Sequence, residues 1–160
     1  METPVLLLHS NFRKATLLVV EDNDDAWTLT RIAIRRALPE LTLFRANTCE
    51  QALTYVTNCI EQRLPLPKLI LQDLYMPDRE AGLNLLKAIR KKLAAGQWPQ
   101  LPVIITSSSL NPNDIDACYR CGASSYVVKS TNLSEQFVVY QSLRKFWWET
   151  SVLPLTELHC

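Results

Sequence analysis

The chain has 160 residues, of which 48% are hydrophobic and 21% are charged, and it contains only 3 glycines. This composition excludes a disordered, collagen-like or low-complexity chain, and the length suits one domain that can bury a full apolar core. The formal net charge of +1 argues against a protein whose main partner is nucleic acid or an anionic membrane.

Apolar runs of strand length alternate with segments of helical period along the first half of the chain. Residues 17–20 form a continuous apolar run that predicts a strand, and residues 24–38 predict a helix with one apolar face. Residues 41–46 predict a second, short strand. A helix then begins at Thr48, which forms a capping box with Gln51.

The same alternation continues through the second half of the chain. Three further strands are predicted from apolar runs at residues 68–72, 103–106 and 126–128. Three further helices are predicted at residues 81–93, 111–122 and 132–148. The second of these begins with Asn111 as its cap and stops at Gly122, a residue typical of helix ends.

Five strand–helix units without an internal linker predict an α/β domain. Strands that are apolar on both faces are typical of a parallel sheet covered by helices on each side. We therefore expect a doubly wound sheet in one domain over residues 15–148, with an N-terminal extension at 1–14 and a C-terminal tail at 149–160. Ligands bind beyond the carboxyl ends of the strands in open sheets of this kind.

The chain carries no sequence signal for export or for a membrane anchor. Its longest apolar runs are far shorter than the roughly 20 residues of a membrane span, and residues 5–8 are too few for a signal peptide. The five cysteines stand at irregular spacing, which does not indicate a disulfide framework. We therefore expect a cytoplasmic protein that does not contact membranes.

Acidic, hydroxyl and lysine side chains stand where the apolar runs stop. These residues are Glu21, Asp22, Asp73, Thr106, Ser107 and Lys129. Because the carboxyl ends of parallel strands meet at one edge of a sheet, we expect these side chains to share one cleft. Three carboxylates that close repel one another unless a cation lies among them, and oxygen ligands of this kind suit Mg²⁺. A lysine and a hydroxyl beside the cation would stabilise a phosphoryl group in transfer to Asp73.

Four segments of the chain resemble motifs of bacterial response regulator receiver domains. They are Leu-Val-Val-Glu-Asp-Asn at 18–23, Leu-Ile-Leu-Gln-Asp-Leu-Tyr-Met-Pro at 69–77, Pro-Val-Ile-Ile-Thr-Ser-Ser at 102–108 and Gly-Ala-Ser-Ser-Tyr-Val-Val-Lys at 122–129. They follow the order and spacing of the family over residues 16–148. The resemblance implies a flavodoxin-like fold with strand order 2-1-3-4-5. It also implies a phosphoryl acceptor with at most slow self-dephosphorylation, rather than an enzyme.

The resemblance implies a metal site and a phosphoryl acceptor that share residues. Asp73 would accept the phosphoryl group from a histidine kinase. With Glu21 and Asp22, Asp73 would also hold a divalent metal, expected to be Mg²⁺. The backbone carbonyl of Tyr75 would complete the protein ligands. The bulk of the Tyr75 side chain beside this site leads us to expect slower attack by water on the phosphorylated form.

The resemblance also implies a switch. Ser107 would be the switch hydroxyl, Lys129 would bond the phosphoryl group, and the ring of Tyr126 would move inward when the hydroxyl moves. The family usually has proline after this lysine, where the chain has Ser130. The loop at residues 76–82 is one residue longer than in the commonest members.

The end of the chain predicts contacts with other proteins. Residues 149–160 are too few for a helix-turn-helix, so we expect no DNA-binding output domain. The last predicted helix is apolar on two sides, and its candidates for a dimer interface are Phe137, Tyr140, Phe146, Trp147 and Trp148. Residues 146–154 resemble the tail of single-domain regulators that partner cyanobacterial phytochromes and form homodimers. The resemblance implies a homodimer with a phytochrome as one candidate kinase; the alternative is a tail that folds back on its own chain.

Two other functions stay open from the sequence. A receiver-like module that binds partners without phosphorylation is favoured by Ser130 and Tyr75, and the complete set of acids and lysine argues against it. A phosphatase with an aspartate nucleophile typically has a second aspartate two residues later, where this chain has Tyr75. Cys118 and Cys121 form a lone pair without the second pair that a zinc site needs.

Overall fold

Five parallel strands form the centre of the computed structural model, which describes residues 11–156. The strands are β1 (Thr16–Val20), β2 (Thr42–Ala46), β3 (Leu69–Asp73), β4 (Val103–Ser107) and β5 (Ser125–Val128). They pair in the order β2-β1-β3-β4-β5, and every pairing is parallel. The predicted strand order is confirmed. The chain winds outward from β1 to β2 and then returns to β3, which places the reversal of direction between β1 and β3.

Five helices follow the strands, and each begins at a capping side chain. They are α1 (Asp24–Ala37), α2 (Cys49–Glu61), α3 (Arg79–Ala95), α4 (Pro112–Arg120) and α5 (Leu133–Leu143). The caps, whose side-chain oxygens accept hydrogen bonds from backbone N–H groups of the first turn, are Asn23, Thr48, Asp78, Asn111 and Asn132. Because Asp78 caps α3, this helix begins two residues earlier than the prediction at 81. The last predicted helix changes at Arg144 to a π-helical segment, Arg144–Thr150.

Both faces of the three central strands β1, β3 and β4 are buried, as their apolar runs predict. One cluster lies between the sheet and α2, α3 and α4; its strand residues include Leu18, Val20, Ile70 and Ile105. The other lies between the sheet and α1 and α5; its strand residues include Leu17, Val19, Leu71 and Ile104. Neighbouring strand residues alternate between these clusters because successive side chains point to opposite faces. The doubly wound architecture is therefore confirmed. Within residues 11–156, no helix combines the length and apolar character that crossing a bilayer requires.

The chain after α5 folds back on the domain. The buried side chain of Asn11 donates to the carbonyls of Trp148 (2.9 Å) and Ser151 (2.7 Å), and it accepts from the backbone N–H of Leu153 (2.8 Å). Further along, the backbone N–H of Leu66 donates to the carbonyl of Thr156. Residues 149–156 therefore pack against their own chain. Residues 1–10 and 157–160, the outer parts of both predicted extensions, lie outside the described residues.

This packing contradicts the prediction that Tyr140 and Trp148 belong to a dimer interface. Tyr140 is 6% exposed and Trp148 is 1% exposed, and both belong to the apolar cluster beneath α1 and α5. Their side chains therefore stabilise the monomer's core and are unavailable to a partner in this structure. Phe137 and Trp147 are half-buried against the same cluster, and Phe146 is exposed.

A close contact between α3 and the end of β3 positions the segment around Asp73. A Cβ atom at Gly82 would lie 1.5 Å from the carbonyl oxygen of Leu74, so only glycine fits there. The buried side chain of Gln72 donates from Nε2 to the carbonyl of Gly82 at 2.8 Å. These contacts hold the first turns of α3 against the residues on either side of Asp73.

Replacing Gly82 by alanine should destabilise the protein strongly. The added methyl group would meet a backbone carbonyl that cannot move without displacing β3, and overpacking of this kind costs about 3 kcal/mol. The free energy of unfolding can be measured by urea denaturation. The matched control is Gly96→Ala, whose methyl would lie nearest to the side chain of Ile60, which can move, and should change stability by about 1 kcal/mol or less. Equal losses in the two variants would contradict this account.

Candidate functional site

The residues that end β1 and β3 form an acidic cluster at the carboxyl edge of the sheet. Glu21 and Asp22 follow β1, and Asp73 is the last residue of β3, the neighbouring strand. One carboxylate oxygen from each residue lies within 4.8 Å of the others. The structure thus brings together the three acids that the sequence placed at strand ends. Within residues 11–156 this is the one cluster of its kind, and Cys118 and Cys121 do not belong to it.

Lys129 reaches into the cluster from the end of β5. Its ammonium Nζ forms an ion pair with Glu21 Oε2 and lies 3.3 Å from Asp73 Oδ2. The backbone N–H of Lys129 donates to the carbonyl of Ser107 at 2.8 Å, which ties the lysine to the end of β4. The lysine side chain is 20% exposed, so its charge is only partly screened by water.

The electrostatics of the cluster centre on Asp73. Burial raises the pKa of Asp73 to about 6; the ammonium of Lys129 opposes this rise, and the carboxylates of Glu21 and Asp22 add to it. The positive charge of Lys129 therefore does not balance the negative charges of the three carboxylates. A divalent cation among the carboxylates would favour the ionised form of Asp73.

The acidic cluster has the donor chemistry of a divalent-metal site. All three side chains offer hard carboxylate oxygens, and Asp22 is exposed to solvent while Glu21 and Asp73 are buried. Arg45 holds the loop in place because its guanidinium donates to the carbonyls of Glu21 (3.0 Å) and Asp22 (3.3 Å). Glu21 Oε1 also accepts from the backbone N–H of Asn23. The metal role of the Tyr75 carbonyl stays a prediction.

The two predicted switch residues meet at Ser109. Ser107 is buried, and its Oγ accepts a hydrogen bond from the backbone N–H of Ser109 at 3.1 Å. The hydroxyl of Tyr126 donates to the carbonyl of Ser109 at 2.8 Å, and the ring is half-buried. Ser107 lies beside the end of β3 because Asp73 and Thr106 are register partners in neighbouring strands.

A hydrogen-bond network around Asp114 was missed by the sequence analysis. This carboxylate is buried in the first turn of α4, and its donors are the Ser109 hydroxyl (2.6 Å), the Arg79 Nε (2.6 Å) and the Tyr75 hydroxyl (2.9 Å). An acid in the first turn of a helix is ordinary, since it interacts favourably with the helix dipole. No pattern in the sequence pairs it with Tyr75, which lies 39 residues earlier.

Ser130 lies in the connection between β5 and α5. Among residues 11–156, the one cis peptide bond is Met76–Pro77, so the bond between Lys129 and Ser130 is trans. The Ser130 hydroxyl accepts from the backbone N–H of Asn132 and is bonded to the carboxylate of Glu135. Ser130 therefore helps to form the start of α5.

A family model agrees with this fold and this site. The model described as "Response regulator receiver domain" matches residues 17–139. The chain belongs to this family. The matched segment begins in β1 and ends within α5, so it includes the acidic cluster, Ser107, Tyr126 and Lys129.

Receiver domains of known structure are similar to almost the whole chain. The response regulator Rcp1 of Synechocystis sp. is 30% identical over 146 residues, which cover 91% of this chain and 96% of Rcp1. The structure of its Mn²⁺-bound form matches with a TM-score of 0.72 and 28% identity, over 88% of this chain and 99% of that one.

Two further solved structures extend this likeness. The phosphorylated cyanobacterial phytochrome response regulator RcpA has a TM-score of 0.75 and 27% identity, over 88% of this chain and 98% of RcpA. Response regulator RPA3017, described in red light signaling of R. palustris, has a TM-score of 0.77 and 29% identity, over 89% and 99% of the two chains. The predicted likeness to single-domain regulators of phytochromes is confirmed.

A divalent cation should bind at the acidic cluster. Asp22→Asn removes the exposed carboxylate and should weaken Mn²⁺ binding about tenfold or more, because affinity at such sites follows the number of charged ligands. Water-proton relaxation during a Mn²⁺ titration measures the dissociation constant. The matched control is Asp25→Asn, an exposed acid in the first turn of α1 outside the cluster, which should leave binding unchanged. The same loss in both variants would rule out a specific site.

Proposed function

We propose that this protein is a cytoplasmic single-domain response regulator that accepts a phosphoryl group from a histidine kinase on Asp73. In this proposal it then signals through protein contacts made by the receiver domain itself. The observation that carries the proposal is the position of Asp73 beside Glu21, Asp22 and Lys129 at one edge of the sheet. This set combines a nucleophile, metal ligands and a cation for phosphoryl oxygens.

Each residue has a role in the proposed transfer. An oxygen of the Asp73 carboxylate forms a bond to phosphorus while the bond from phosphorus to the donor's imidazole nitrogen breaks, and the imidazole takes up one proton as it leaves. Lys129 neutralises charge on the phosphoryl oxygens. Its ion pair with Glu21 holds the ammonium group beside Asp73. When bound by the acidic cluster, Mg²⁺ supplies further positive charge to the transferring group.

In this proposal, phosphorylation of Asp73 changes the charge beside the loop that follows β4. A phosphoryl group adds strong acceptor oxygens, and Ser107, at the end of the neighbouring strand β4, has a hydroxyl that could donate to them. Movement of Ser107 would disturb its bond with Ser109, and Ser109 in turn holds the Tyr126 hydroxyl. The proposed output is therefore a change in the β4–α4 loop and β5, which partners can recognise.

We propose a phytochrome-type histidine kinase as the phosphoryl donor. Support comes from the relatives, because RcpA is a phytochrome response regulator and RPA3017 is described in red light signaling. The similarity to Rcp1 covers 96% of that protein, so the likeness extends beyond the common core of receiver domains. The alternative is a binding module that does not depend on phosphorylation.

Intact-mass analysis after incubation with acetyl phosphate and Mg²⁺ tests the proposed function. Wild type should gain one phosphoryl group, and Asp73→Asn should gain none because an amide cannot form the acyl phosphate. Asp25→Asn serves as the matched control and should gain one group. A folded wild-type protein that gains no phosphoryl group with either Mg²⁺ or Mn²⁺ would overturn the proposal and favour the phosphorylation-independent module.

We also propose a homodimer that uses the outer surface of α5 and the edge strand β5. An apolar groove between these elements is lined by Val127, Val138, Val139, Leu143, Phe146 and Trp147. The side chains of Val138 and Phe146 are exposed, and the Phe146 ring packs edge-on against Trp147. Exposed apolar surface of this kind is typical of protein contacts. The buried Tyr140 and Trp148 have no direct part in this interface.

Light scattering with size-exclusion chromatography measures the proposed dimer. Phe146→Ser should shift wild-type dimer toward monomer at micromolar concentration, because it removes the largest exposed ring from the groove. The matched control is Leu64→Ser, which replaces a similarly exposed apolar side chain on the connection between α2 and β3. A monomeric wild type, with or without phosphorylation, would contradict the proposed dimer.

A further inference from the structure

We propose that Arg45 is a positioning residue for the divalent cation of the acidic cluster. By bonding the backbone carbonyls of Glu21 and Asp22, Arg45 fixes the segment from which their carboxylates reach the cation. This inference rests on the proposed function, because the cation concerned is the one that assists phosphoryl transfer to Asp73. It adds a residue of the edge strand β2 to a site whose chemistry is carried by the ends of β1, β3 and β5.

The strand register explains why a long side chain is needed at position 45. Arg45 is the register partner of Val19 in the parallel pairing of β1 and β2. Glu21 comes two residues after Val19, which corresponds to roughly 7 Å along a strand. The Arg45 guanidinium covers this distance, since its Nε donates to the Glu21 carbonyl at 3.0 Å and one terminal nitrogen donates to the Asp22 carbonyl at 3.3 Å. A single side chain therefore joins two consecutive carbonyls beyond the end of β1.

Two further contacts hold the guanidinium of Arg45 in this position. Its central carbon lies 5.6 Å from the centre of the Trp27 ring, within the range of a cation–π interaction. The ring is half-buried and packs against the apolar cluster beside α1, so it supports the guanidinium firmly. The same terminal nitrogen pairs with Asp24 Oδ1 at 2.8 Å, but the Asp24 side chain is 87% exposed, so this ion pair contributes little.

The segment that carries Glu21 and Asp22 leaves the sheet at this point. The backbone N–H of Glu21 donates to the carbonyl of Ala46 at 3.0 Å, where the pairing of β1 with β2 ends. Repulsion among the three carboxylates favours a loop conformation that spreads them apart when no cation is bound. The bonds from Arg45 oppose this spreading, so the segment reorganises less when the cation binds. Ligand residues that are held in place by their surroundings bind a metal more tightly.

The charge of Arg45 acts in the opposite direction to its hydrogen bonds. A guanidinium beside the cluster repels a cation, so an arginine that acted only through its charge would weaken metal binding. The planar fork of an arginine can bond two carbonyls at once, whereas the ammonium of a lysine is a compact point charge. Arg45→Lys therefore keeps the charge and loses the paired bonds, and Arg45→Met loses both. The two variants together separate positioning from electrostatics.

Titration of the full-length protein with Mn²⁺, followed by water-proton relaxation, tests this inference. Arg45→Lys should raise the dissociation constant about three- to tenfold, less than the roughly 10- to 100-fold loss typical of residues that bond the side chain of a metal ligand. Arg45→Met should also bind more weakly, because solvent around the exposed Asp22 screens the repulsion that this change relieves. The matched control is Arg120→Lys, since Arg120 pairs with Asp116 on α4, outside the cluster, and its replacement should leave binding unchanged.

An unchanged dissociation constant in Arg45→Lys, or binding by Arg45→Met as tight as that of wild type, would overturn the inference. Urea denaturation of the same variants identifies a purely structural role. Such a role would lower the free energy of unfolding and leave Mn²⁺ binding by the folded protein unchanged, which also overturns the inference. Phosphoryl uptake by wild type, measured separately by intact mass, would leave the proposed function standing in each of these cases. Absence of Mn²⁺ binding by wild type would overturn the cation site and this inference together.

Discussion

The crowding of three carboxylates around one lysine is the constraint on which this structure depends. Acids this close repel one another, and the repulsion grows where water is partly excluded. Lys129 relieves part of the repulsion through Glu21 and Asp73, and the remaining charge favours a divalent cation. The sheet makes the arrangement possible because β1 and β3 are neighbours. Any strand between them would separate Asp73 from Glu21 and Asp22.

The rest of the fold holds this edge in place with ordinary contacts. Gly82 lets α3 approach the end of β3 at a distance that no larger residue allows. Arg45 extends from β2 to the carbonyls after β1, and Asp114 joins the loops after β3 and β4. Each loop that carries a functional side chain is therefore anchored by at least one bond from a neighbouring element, which limits the reorganisation needed when charge is transferred.

The features that the sequence predicted best are those that depend on a single physical rule. Buried strands read as continuous apolar runs, so the five strands and the residues at their ends could be predicted closely. Helix starts depended on single caps, and the start of α3 was predicted two residues late because Asp78, which follows Pro77, was not taken as its cap. Tyr140 and Trp148 were predicted to lie in an interface because the sequence pattern of apolar residues is the same for a dimer interface and for the core of a single chain. The network at Asp114 joins residues far apart in sequence, and no local pattern encodes such a pairing.

The clamp formed by Asn11 makes the two ends of the chain interdependent. One amide side chain close to the start of the protein satisfies three backbone groups between Trp148 and Leu153, while the ring of Phe12 lies 5.1 Å from the guanidinium of Arg144. These contacts lie towards the amino edge of the sheet, away from Asp73. Replacing Asn11 would therefore leave backbone groups between Trp148 and Leu153 without their partner, so shortening the chain before β1 and shortening it after α5 should disrupt the same contact.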